Sequence, residues 1–89
     1  MKRDEIKKQF NEYSQEFCLD EITIQEFMAK MNTIATPIGQ VRAEVEDINE
    51  RDIQEIDRYD ATTCGGDGFF CVLYAVRTPD GTYYAYGLD

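Results

Sequence analysis

The stretch "FFCVLYAVRTPDGTYYAYGL", residues 69–88, decides the fold. Two runs rich in aromatic and β-branched residues flank a centre of turn residues. Proline fixes φ at about −65°, and glycine accepts the positive φ that other residues avoid. The segment therefore predicts a β-hairpin, with Pro79, Asp80 and Gly81 as a three-residue loop built on a type I turn and a bulge. In that register Thr78 faces Thr82, Val76 faces Tyr84, Tyr74 faces Tyr86 and Val72 faces Leu88. One face would carry Phe70, Val72, Tyr74, Val76, Tyr84, Tyr86 and Leu88. The other would carry Phe69, Cys71, Leu73, Ala75, Ala85 and Gly87, smaller residues that let a helix approach closely. A strand apolar on both sides belongs inside its sheet, so residues 69–78 are expected to be interior.

Upstream, "TTCGGDGFFC" (residues 62–71) reads as a second hairpin. Gly65, Gly66 and Gly68 permit positive φ and Asp67 tolerates it, between strand formers on either side. A loop over 65–68 sets Cys64 opposite Phe69 and Thr62 opposite Cys71. Metal chemistry does not fit this stretch. A structural zinc site takes four ligands in close pairs, whereas here the cysteines are six apart and histidine is absent. The Cys-X-X-Cys turn of redox proteins is missing, and the glycines lack the lysine and hydroxyl of a phosphate-binding loop. No cofactor or metal is expected.

Further back the pattern is mixed. Val41, Ala43 and Val45 alternate with Arg42, Glu44 and Glu46, which reads as a strand with one wet face. In "DINERDIQEIDRYD" (residues 47–60) Asn49 is a candidate cap for a short helix over 50–58, with Ile53 and Ile56 inward; a strand is the alternative, which the three-residue spacing of the isoleucines fits poorly.

The N-terminal third is helical. Ile6, Phe10, Tyr13 and Phe17 form one stripe of a 3.6-residue period over residues 3–18. A second helix opens at Thr23, whose spacing to Glu26 is that of a capping box, with Ile22 and Phe27 as its hydrophobic staple. Ile24, Met28 and Met31 continue its apolar side, widened by Phe27 and Ile34. Thr36 precedes Pro37, so this helix should end near residue 34. A link of about four residues favours an antiparallel helical hairpin. The expectation is an α+β fold in one domain, residues 1–89. It comprises a helical hairpin over 1–36, packed on a small antiparallel sheet of three or four strands over 37–89.

Composition narrows the function. The 89 residues carry 18 acids against nine bases, a net charge of −9, with no histidine. Such a field repels phosphate backbones and anionic membranes, and it attracts basic protein surfaces. No apolar run approaches the roughly 18–20 residues that span a bilayer. The opening "MKRDEIKKQF" lacks a signal peptide's apolar core, so a cytoplasmic protein is expected. Three cysteines are an odd number, and in that compartment Cys18, Cys64 and Cys71 should be thiols, packed as small apolar residues.

The residue types point away from an enzyme. Histidine, the usual general base, is missing, and nothing near Cys64 in sequence would activate a nucleophile. The candidate partner-binding residues are instead the acidic block Glu44, Glu46, Asp47, Glu50, Asp52, Glu55, Asp57 and Asp60. A secondary interface is carried by Tyr74, Tyr83, Tyr84 and Tyr86, since tyrosine serves interfaces well. These features suggest a small non-enzymatic module that docks on a basic protein. One form is an inhibitor that mimics nucleic acid in the groove of a nucleic-acid-binding enzyme, the profile of small acidic inhibitors from phages and mobile elements. Two alternatives are a structural domain forming homo-oligomers through its tyrosine-bearing sheet, and a ligand-binding or redox-responsive protein using the Cys64–Cys71 region.

Overall fold

The computed structural model describes residues 2–45, 48–60 and 70–88. Helices α1 (Arg3–Cys18) and α2 (Ile24–Met31) open the chain, followed by strand β1 (Thr36–Pro37) and helix α3 (Ile38–Glu44). A 3₁₀ turn (Glu50–Asp52) leads into β2 (Ile53–Asp60), β3 (Phe70–Thr78) and β4 (Gly81–Leu88). The strands form one sheet in the order β1-β4-β3-β2. The α+β expectation holds, with a helical pair before a four-stranded sheet. The sheet is mixed rather than antiparallel, because β1 runs parallel to β4.

Both N-terminal helices follow their sequence signals. Ile6 and Phe10 are buried and Tyr13 and Phe17 half-buried, as the stripe predicts, and Ser14 and Cys18 are buried with them. The capping box at α2 is complete: Thr23 Oγ1 accepts from Glu26 N, and Glu26 Oε1 accepts from Thr23 N, each at 3.2 Å. The Phe17 and Phe27 rings stack at 5.1 Å, and Lys30 reaches Glu16 at 2.7 Å, which pins the two helices together. The apolar side of α2 is narrower than expected. Phe27 and Met31 are buried, but Ile24 and Met28 are exposed, and the helix ends at Met31.

Where a strand is expected over residues 41–46, the chain is helical as far as Glu44, and Val45 caps the helix. Ile38, Val41 and Val45 are spaced three and four apart, and all three join one apolar cluster with Val76 and Ala85. The alternation that suggested a strand depended on Ala43, which is exposed and contributes nothing to the core. Close seating of α3 relies on Gly87, where a Cβ would come within 3.0 Å of the Ile38 side chain.

The helix expected over 50–58 is a strand for most of its length. Asn49 does cap, its side chain accepting from Arg51 N, but the helical turn stops at Asp52. The three-residue spacing of the isoleucines comes from a bulge. Glu55 faces Tyr74 and Asp57 faces Leu73, leaving Ile56 unopposed. Ile53 therefore joins the α3 cluster while Ile56 joins the helical-pair cluster.

The β3–β4 hairpin is present with its register shifted by one. Thr78 pairs with Gly81 and Leu73 with Tyr86, so the loop is Pro79–Asp80 alone. Neither loop residue has a positive φ, which excludes the primed turns suited to two-residue loops. The mismatch in twist falls on Gly81, at φ 131°. The shift redistributes the faces. Cys71, Leu73, Tyr84 and Tyr86 lie against α1 and α2, while Tyr74, Val76 and Ala85 lie against α3. The expectation that β3 is interior holds, since it pairs with β2 and β4.

The proposed loop at 65–68, with Cys64, lies outside the described residues. Its flanking strands are antiparallel neighbours, but Cys71 pairs with Tyr59 rather than Thr62. Cys18 is disulfide-bonded, against the expectation of three cytosolic thiols, while Cys71 is free and buried.

Two substitutions test these features. Gly81→Val should lower the unfolding free energy by about 1 kcal/mol or more, because a β-branched residue resists positive φ. A denaturant midpoint equal to wild type would contradict the turn geometry. Ser14 Oγ is buried near the Cys71 thiol and has no hydrogen-bond partner among the described residues. Ser14→Ala should therefore be neutral or mildly stabilising; a loss above about 1 kcal/mol would mean that the Ser14–Cys71 contact is a true hydrogen bond.

Candidate functional site

The acidic block does not form one surface. Glu46 and Asp47 lie outside the described residues. Glu44, at the end of α3, is exposed and accepts from Gln40 Nε2 at 3.0 Å. Glu50 is held by a bidentate contact with Arg42, which keeps its carboxyl below the usual carboxylate range. Arg58 does the same for Glu55, donating to both carboxylate oxygens at 2.8 and 3.1 Å. Both pairs are exposed, so their attraction is screened by solvent.

Past the bulge the strand changes its presentation. Asp57 is half-buried on the helical-pair side and accepts from Asn11 Nδ2 at 2.8 Å. Asp60 is exposed opposite Phe70. Asp52 is half-buried in the 3₁₀ turn. The block is thus divided between two faces of the sheet, and part of its charge is matched internally.

The four tyrosines also divide. Tyr86 is core: its hydroxyl donates to Asn32 Oδ1 at 2.9 Å, and its ring meets Phe27 edge-on at 6.4 Å. Tyr74 and Tyr84 are half-buried on opposite faces. Tyr83 alone is largely exposed, at 51%.

One place joins the two sets. A groove of about 390 Å³ runs between α3 and the β3–β4 turn, lined by Val41, Val45, Pro79 and Tyr83 together with the carboxylates of Glu44 and Asp80. Local sequence explains each position. Helical spacing aims Val41 and Val45 at the sheet, and Glu44 follows on the turn between them. The tight Pro79–Asp80 loop lifts Asp80 at the far end, and the shifted register turns Tyr83 to the α3 side, opposite Val76. Asp80 has no ion pair or hydrogen bond among the described residues. Apolar walls with two carboxylates suit a side chain that is aliphatic along its length and cationic at its tip.

Sequence reasoning named Glu44 and Tyr83 but missed Asp80, Val41 and Val45 as neighbours of one site. The signal that would have found them is the helical spacing of residues 38–45, which carries Glu44 over the hairpin. A second depression, of about 510 Å³, borders Tyr83, Tyr84 and Ile34 on the helical-pair side and has no charged lining.

The buried Cys71 thiol is ill suited to chemistry. Burial pushes Cys71 up to about 11, with the Ser14 hydroxyl offsetting part of the rise. A thiol is nucleophilic only as thiolate, so Cys71 should resist alkylation at neutral pH in the folded protein and react on unfolding. Rapid native labelling mapped to Cys71 would refute this. No protein-family model, curated protein or solved structure matches the chain.

Proposed function

We propose that the protein is a small non-enzymatic binding module that docks on a basic protein surface, seating a lysine or arginine of its partner in the groove between α3 and the β3–β4 turn. The observation that carries this reading is the lining of that groove, where Glu44 and Asp80 accompany Val41, Val45, Pro79 and Tyr83. A basic side chain would lay its methylenes on the apolar walls and its cation near the carboxylates. The exposed Tyr83 ring adds a cation–π partner.

The net charge of −9 supports the same reading at longer range, since it steers a basic partner toward the module before contact. The positive groove of a nucleic-acid-binding protein is one surface of this chemistry, and occupying it would inhibit that protein. The support comes from the groove and the overall field rather than from a regular acidic track, because Glu50 and Glu55 are each engaged by an arginine.

The test uses immobilised wild type, a Glu44→Lys/Asp80→Lys variant and a Glu5→Lys/Glu12→Lys control, which make the same change in charge. All four positions are exposed, so each fold should survive. A lysine-rich peptide should bind wild type, weaken as salt shortens the Debye length to about 8 Å at physiological ionic strength, and lose about tenfold more affinity in the groove variant than in the control. Equal losses would reduce the interaction to total charge and remove the groove from it.

A further inference from the structure

The five arginines of the chain fall into two groups. Arg42 and Arg58 each close on a glutamate. The other three, Arg3, Arg51 and Arg77, line a single polar cavity of about 180 Å³. They arrive from three separate elements: the first residue of α1, the 3₁₀ turn, and the outgoing end of β3.

The register explains the convergence. Gln54 pairs with Ala75, and Arg77 with Thr82. Ala75 and Arg77 alternate in step with Leu73, on the face of the sheet that meets α1 and α2. Ala75 and Thr82 are small and leave room between the larger residues of the lining. Gln54 and Thr82 contribute neutral hydrogen-bonding groups. Asp52 is the one acid of the lining, which leaves an excess of two positive charges.

None of the three guanidinium groups makes an ion pair or hydrogen bond among the described residues. Acids outnumber bases two to one in this chain, so pairing was available in principle. Like charges brought together repel, and an anion between them removes that cost.

We propose that this cavity is an oxyanion site for a small phosphate-bearing molecule. The guanidinium fork matches phosphate oxygens bidentately, and three forks from different directions can surround one tetrahedral group. The negative field of the whole protein adds selectivity. A long polyanion is repelled along its length, while a small anion meets only the local positive patch. This site is separate from the groove, whose lining residues it does not share.

Titrating inorganic phosphate into the isotope-labelled full chain, at ionic strength held constant with chloride, tests the assignment by amide chemical shift. Saturable shifts should centre on Arg3, Arg51, Gln54, Arg77 and Thr82. Arg51→Gln and Arg77→Gln should each weaken binding about tenfold, as loss of a charge-assisted bond implies. Arg77→Lys, which keeps the charge and loses the fork, should fall between. Lys8→Gln removes one charge from the exposed side of α1 and should leave the affinity unchanged. Replacing phosphate by glycerol phosphate separates the sources: tighter binding of the ester identifies a phosphorylated metabolite, and tighter binding of the free ion identifies phosphate itself. Shifts reproduced by chloride alone would overturn the proposal. So would equal weakening in Lys8→Gln, or no saturable shift in a wild type whose spectrum shows it folded.

Discussion

The structure depends on the double-sided burial of β3. Val72, Leu73 and Val76 are fully buried and Cys71 nearly so, although successive side chains point to opposite faces of the sheet. A strand of that kind cannot leave either face to water. At about 25 cal/mol per Å² of apolar surface, exposing one face would remove several kcal/mol from a domain whose total stability is of similar size. Both faces therefore need cover. The helical pair supplies it on the Cys71–Leu73 side, and α3 supplies it for Val76 and Ala85 on the other. With α3 in place, residues 36–37 lie beside β4 and the 3₁₀ turn leads the chain to the opposite edge.

The same constraint organises the charges. With most of the apolar residues committed to two clusters, the charged residues are left to the outer face of α1, the exposed edge of β2, the exposed flank of α3 and the ends of the elements. Edge strands invite pairing with other chains, and β2 counters this with Glu55, Asp57, Arg58 and Asp60 and with its bulge. The protein so joins a guarded edge to two depressions of opposite charge, one bordered by Glu44 and Asp80 among apolar residues and one by Arg3, Arg51 and Arg77.

Much of this was legible in the sequence, and the failures share a cause. The capping box at Thr23 and the stripe from Ile6 to Phe17 depend on neighbours within one or two turns, and both were read correctly. The turn at Pro79–Gly81 was also local, but its register was not. A difference of one residue in loop length moves Tyr84 and Tyr86 to the opposite face, and loop composition alone did not fix that length. Residues 41–45 satisfied two periods, and Ile38 decides between them by packing on Gly87, nearly fifty residues away. The isoleucines at 53 and 56 suggested helix because a bulge imitates helical spacing. For the site, Glu44 and Tyr83 were visible as residue types, but the groove joining them exists only once α3 stands beside the hairpin.

The hydroxyl of Tyr86 has a consequence for the kinetics of folding. It bonds to Asn32, 54 positions earlier, while its ring completes the cluster around Phe27. The helical pair thus cannot close its own core until β4 has docked. α1 and α2, with strong local signals, should form fleeting helices early but acquire lasting protection from hydrogen exchange only together with the sheet. Contacts of such long range slow the search for the native state, because loop closure precedes the gain from burial. An arrangement of this kind favours a single cooperative transition over the stepwise accumulation of a stable helical hairpin.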